Sequence, residues 1–129
     1  MSLAVKMGVP GDREAMIAAL QGLVALNRIL IPRLGLPSLY GSGVDYKRER
    51  GEQWQTAAEV FVAGHGDCED LSAVRAAELQ LEGEQARAWV VKVGPGAYHA
   101  VVRRADGTIE DPSKICRRLI RDALERKRG

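Results

Sequence analysis

The sequence predicts an α+β fold, with helices first and a small antiparallel sheet after them. Two observations carry this: apolar residues recur at helical three-and-four spacing between residues 12 and 81, and two β-branched runs, 86–93 and 98–104, then flank Gly94-Pro95-Gly96. A third is size. With 129 residues the chain makes one domain, 1–129, that buries roughly two-thirds of its unfolded surface without disulfide staples.

Asp12 is a plausible N-cap for a first helix, roughly 12–31, in which Ile17, Leu20, Leu23, Val24 and Leu30 form the apolar stripe and Pro32 ends it. Gln21, Asn27, Arg28 and Arg33 interrupt this apolar stretch, so it reads as a core helix and no membrane span is expected. Residues 35–51 carry Gly35, Pro37, Gly41, Gly43 and Gly51 around Tyr40 and Tyr46, which is the chemistry of a long loop. A second helix is expected over 52–63, stopped by Gly64, with Trp54, Ala57, Ala58, Phe61 and Val62 on its periodic face. Asp67 then caps a third helix, with Cys68, Glu69 and Asp70 in its first turn, Leu71, Val74, Ala77 and Leu81 along one stripe, and Gly83 at its end. After the hairpin comes a short strand, 108–111. A basic C-terminal helix spans 114–129.

Two cysteines and the lack of an N-terminal stretch with a basic patch, an apolar core and a cleavage site point to a reducing, cytoplasmic setting. Net charge is +2, but residues 117–128 hold six basic residues against two acidic ones. That tail has no aromatic residue, and Leu119, Ile120 and Leu124 give it a side to dock. It reads as a solvated terminal helix open to an acidic partner, and nucleic acid is not expected.

The chemistry-bearing residues are a thiol, an imidazole and a carboxylate in chain order: Cys68 in Gly64-His65-Gly66-Asp67-Cys68-Glu69-Asp70, His99 in Tyr98-His99-Ala100-Val101, and Asp111 before Pro112-Ser113. A cysteine in the first turn of a helix feels the positive end of the amide dipoles, and an imidazolium beside it favours the thiolate further. Asp67, Glu69 and Asp70 work the other way unless they are turned aside. Asp67 is expected as N-cap, Asp70 as an acceptor of first-turn amides, and Glu69 is expected to face solvent or an arginine. Alternation puts His99, Val101 and Arg103 on one strand face, which the cysteine helix must then cover.

Asp111 orients the imidazole only in one register. A three-residue loop, Ala105-Asp106-Gly107, sets Arg104 opposite Thr108 and Asp111 opposite Val101, diagonal to His99 on one face; a two-residue turn would send Asp111 to the wrong side. The three-residue loop, or a compensating bulge, is therefore predicted. For a developing oxyanion, the Cys68 amide is one expected donor, with Gln55 and Trp54 as sources of a second and Gln53 behind them.

Taken together, Trp54-Gln55-Thr56-Ala57-Ala58-Glu59-Val60, the Gly-Asp-Cys-Glu-Asp stretch, Tyr98-His99-Ala100-Val101 and Asp111-Pro112-Ser113 resemble the transglutaminase-like superfamily, above all its small bacterial and phage-encoded cysteine proteases. The resemblance covers about residues 52–113, the motif-bearing core. It implies a papain-like core with Cys68 as nucleophile, His99 as general base and acid and Asp111 as orienting carboxylate. It places Trp54 and Gln55 around the oxyanion or the active-site wall. Outside the triad nothing resembles the large calcium-dependent cross-linking enzymes, and 129 residues leave no space for their extra domains, so calcium dependence is not expected; the likeness to phage-encoded members implies a phage association.

The expected activity is cysteine-dependent hydrolysis of an amide in a protein or peptide, as a peptidase, isopeptidase or deamidase, through a thioester. Transglutaminase-type transfer to an amine and a non-catalytic assembly or binding protein are the alternatives. No cofactor is expected. Cys116 reads as a packing residue, Trp89 as core, His65 as a shaper of the turn, and Tyr98 as packing that can also line the acyl site. Tyr40 and Tyr46 are placed over the groove. No metal is expected at 65–70, because adjacent side chains at a helix start diverge.

Overall fold

The computed structural model describes residues 13–48 and 53–128. It has mixed helix and sheet. Helix α1 spans Arg13–Leu34, so its start falls where expected, although Asp12 lies outside the described residues. It does not stop at Pro32. A proline in the last turn forfeits only one bond, to the carbonyl of Arg28, and that residue is exposed, where an unpaired carbonyl is cheap. By length and composition α1 could cross a membrane; in this fold its Ile17, Leu20, Leu23 and Val24 are buried against the rest of the chain.

The predicted 35–51 loop contains two short elements. A 3-10 turn, η1, spans Leu39–Gly41 and is capped by Ser38, and strand β1, Asp45–Tyr46, pairs in parallel with β2, His65–Gly66. Helix α2 covers Ala57–Ala63 only. It begins late because Thr56 and Glu59 form a capping box, each side chain accepting from the other's backbone amide; Trp54 and Gln55 therefore lie ahead of the helix. Helix α3, Cys68–Leu81, starts on its Asp67 cap as expected.

Strands β3 (Arg87–Gly94), β4 (Ala97–Arg103) and β5 (Ile109–Glu110) form an antiparallel sheet in that order. The outer edge of β3 is covered by side chains: Arg13 Nε donates to the Val90 carbonyl and Gln21 Nε2 to that of Ala88, each at 2.8 Å. Helix α4, Pro112–Arg128, begins two residues earlier than predicted. Asp111 caps it, its carbonyl accepting from Ile115 at 3.1 Å and its Oδ1 from Lys114 at 3.4 Å, and Pro112 occupies the first helical position, where a missing N–H costs nothing.

Helix α3 runs between two buried clusters. On one side Ala73, Ala76, Ala77 and Leu79 meet Leu20, Leu23 and Val24 of α1 and Ala88, Val90, Ala100 and Val102 of the sheet. On the other, Leu71 and Val74 meet Leu39, Val44, Ala57, Val60 and Cys116. The run of alanines permits the close approach to the sheet. Cys116 is buried as expected, and burial pushes its thiol up to about 12.

Candidate active site

The first turn of α3 and the start of β4 meet in an open cleft of about 570 Å³, lined by Cys68, Tyr98 and His99 together with Asp67, Glu69 and Tyr46. The sheet register that the imidazole needs is present. Val102 pairs with Glu110 and Arg103 with Ile109, Arg104 N–H donates to Thr108 at 2.8 Å, and Gly107 N–H donates to Arg104 at 2.9 Å across the three-residue loop. Gly107 takes φ +88°, a conformation that needs no Cβ. Asp111 thereby reaches His99, with Oδ2 2.9 Å from Nε2. The same carboxylate caps α4 through Oδ1, so one side chain fixes both the helix start and the ring.

The facing of β4 differs from expectation. Ala100 and Val102 pack under α1 and α3, so by alternation His99 lies on the opposite face from the body of the cysteine helix. What joins Cys68 to His99 is an open strand edge. Even-numbered amides of β4 point toward β5, and β5 pairs only with Val102 and Arg103, which leaves the Ala100 amide to donate to the Cys68 sulfur. The thiol and the imidazole thus enter one cleft from the two sides of that edge.

The three carboxylates of the first turn behave differently from one another. Asp67 caps α3, its Oδ1 accepting from Cys68 N–H at 2.7 Å. Asp70, 1 % exposed, accepts from Asp67 N–H at 3.0 Å, Gln55 N–H at 2.7 Å and Gln55 Nε2 at 3.2 Å, and burial against these bonds raises its pKa from 3.8 to about 6. Both roles match expectation. Glu69 does not turn to solvent: it accepts from the thiol, and burial and the Asp67 charge push its pKa up, while the charge of His99 opposes them.

The consequence for Cys68 is large. Burial first, then the Glu69 charge, push the thiol well above the ordinary range, against the lowering effect of the Ala100 amide. The expected easing of ionisation at a helix start is outweighed. A resting thiolate is not what this geometry favours.

Both oxyanion expectations are also altered. The Cys68 amide is taken by Asp67. Gln55 Nε2 is divided between the His65 carbonyl at 3.4 Å and Asp70, and Trp54, 6 % exposed, lies in the main core with Cys68; neither Trp54 nor Gln55 lines the cleft. Tyr98 lines it while packing against the core, Tyr46 lines it as expected, and Tyr40 does not, because its hydroxyl bonds Glu110. Arg48, Ala97 and the exposed Val93 complete the cleft wall with no preceding sequence signal.

The expected divergence of side chains at 67–69 is not found. Donor atoms of Asp67, Cys68 and Glu69 all lie within 4.8 Å of one another, because Asp67, at φ −80° and ψ 176°, is extended and folds its carboxylate back over the turn. A cation there would compete with the Cys68 amide for Asp67 and with the thiol for Glu69. Comparison with known proteins adds no further constraint: no family model, curated protein or solved structure matches the chain.

Proposed function

We propose that the chain is a cysteine-dependent amide hydrolase with a papain-like, transglutaminase-like core. The observation that carries this reading is the 2.9 Å His99–Asp111 pair in the cleft that also holds Cys68 at the start of α3. Asp111 on Nε2 leaves Nδ1 as the ring nitrogen for the thiol, and it fixes the tautomer. In this mechanism the resting thiol keeps its proton. Sγ attacks the carbonyl carbon as His99 takes the thiol proton; His99 returns it to the departing amine, and water resolves the thioester. An amine in place of water would give transfer from the same intermediate. The substrate carbonyl oxygen replaces Asp67 as the partner of Cys68 N–H, so the oxyanion site forms only on binding.

A non-catalytic binding protein is the second reading, favoured by the proton-holding thiol and the occupied amide. Acylation by p-nitrophenyl acetate separates the two. The expected result is a one-equivalent burst of nitrophenolate that is absent in Cys68→Ala and slowed about 100-fold or more in His99→Ala. Glu69→Gln removes the negative charge that disfavours the thiolate, so its iodoacetamide labelling curve should move to lower pH than the wild type's. A burst indifferent to His99 would remove the enzyme reading.

A further inference from the structure

Three arginines from separate elements gather on one indole. The guanidinium carbons of Arg13, Arg87 and Arg103 stand 5.2, 5.5 and 5.3 Å from the centre of the Trp89 ring. Trp89 was expected as plain core; it packs against the main cluster but keeps part of its surface in solvent. Arg87 and Arg103 are exposed and directly opposite each other across β3 and β4, a like-charge pairing that weakens a hairpin. The attraction of each guanidinium to the ring is modest at an exposed site. A third cation on one ring adds mutual repulsion.

The other arginines held against the folded body at part-buried positions are matched to carboxylates. Arg75 and Arg104 share Glu110, Arg104 also grips Glu84, and Arg117 meets Asp45. Among the described residues no carboxylate pairs with Arg13, Arg87 or Arg103. The sheet therefore presents two exposed guanidinium forks and a half-exposed aromatic ring without a counter-charge of their own, and Arg13 of α1, its Nε held by the Val90 carbonyl, adds a third positive charge at the edge.

We propose that this face binds single-stranded nucleic acid, with the arginines on phosphates and Trp89 against a base. All three cations are guanidinium, whose planar fork matches two phosphate oxygens, where an ammonium offers only a point charge. An aromatic ring among such cations accepts the face of any base, and adjacent strands hold the groups at fixed spacing. An acidic peptide would engage the forks and leave the indole unused. This surface is distinct from the basic tail, whose lack of aromatics underlies the sequence expectation against nucleic acid, and it shares no residue with the cleft.

The test is fluorescence anisotropy of a labelled oligothymidylate of about 15 nucleotides, within the span such sites cover, across a salt series, together with tryptophan emission. Binding in the range of about 1–100 μM is expected, with a log–log salt slope near −2 that weakens by about 0.7 for each arginine removed. Emission should be quenched at Trp89, because Trp54 is buried. Arg87→Gln with Arg103→Gln should weaken binding at least tenfold. Cys68→Ala, and Arg126→Gln with Lys127→Gln in the tail, should leave it within twofold. Circular dichroism confirms that each variant is folded, and a single Arg87→Gln with a proportionate loss serves if the double variant is not. No binding below 1 mM, an equal loss in the tail variant, or displacement by polyglutamate at equal charge would overturn the proposal.

Discussion

At the scale of single residues, Asp70 is the carboxylate on which the cleft floor rests. Three N–H donors converge on it, from Asp67 and Gln55, yet burial still holds its pKa near 6. Its folded value exceeds its unfolded value, so the folded state binds the proton more tightly between about pH 4 and 6. The contribution to stability is full below pH 4 and is lost as pH rises through 6; two pH units correspond to about 3 kcal/mol. Melting curves across pH 4–7 should show this slope in the wild type and a flatter profile in Asp70→Asn. That variant should also lose about 1–3 kcal/mol at pH 7, because its amide NH₂ opposes one of the donors. A parallel profile would mean that another group carries the slope. The same residue marks what sequence reasoning could reach: the caps Asp67 and Asp70 follow from spacing alone, whereas the turn of Glu69 toward the thiol depends on how deeply α3 is buried, which no local pattern encodes.

At the scale of elements, the hairpin loop before β5 decides whether the site exists. Gly107 supplies the positive φ that a three-residue loop requires, and that loop brings Asp111 to His99. Gly107→Ala should cost about 1–2 kcal/mol, the strain of a side chain in the left-handed region. It should also slow the acylation burst, because relief by a two-residue turn would reverse the facing of Asp111. An unchanged burst rate in a destabilised protein would show that the register survives without glycine. This register was readable in advance, since the facing of Asp111 excludes a plain two-residue turn; between a three-residue loop and a compensating bulge, the chain uses the loop. The start of α2 was readable too, from the threonine and glutamate three residues apart, although helical periodicity from Trp54 onward masked it. Strands β1 and β2 were not readable: two residues each leave no periodicity, and their pairing joins segments about 20 residues apart. The cap formed by Asp111 and Pro112 shows why the last helix starts early. An acidic residue before proline at a helix start is a local signal, hidden there by the assignment of Asp111 to a strand.

At the scale of the whole molecule, η1, α3 and β5 are laced together by one part-buried carboxylate next to the site. Glu110 accepts from Tyr40 in η1, from Arg75 Nε in α3 at 2.7 Å and from Arg104 Nη1 beyond β4 at 2.7 Å, while Arg75 stacks on the Tyr40 ring and also bonds Glu78, which receives the Leu39 amide at 2.7 Å. Burial, then the bond to Glu110, push the Tyr40 hydroxyl up, so it remains a donor. These contacts tie the turn at 39–41 and the middle of α3 to β5, and Asp111 is the next residue along. Glu110→Gln keeps the volume but turns an NH₂ toward one of the two arginines, so a loss of about 2 kcal/mol is expected, as for other charge-assisted bonds. Stability alone would not show that the knot serves the cleft. Val60→Ala, in the second cluster and outside the cleft, should cost a similar amount by leaving a cavity. If Glu110 positions Asp111, the burst slows severalfold more in Glu110→Gln than in Val60→Ala at equal loss of stability, and Tyr40→Phe shows a smaller effect in the same direction. Equal rates in the two variants would make the knot purely structural, with the His99–Asp111 pair held by the α4 cap alone.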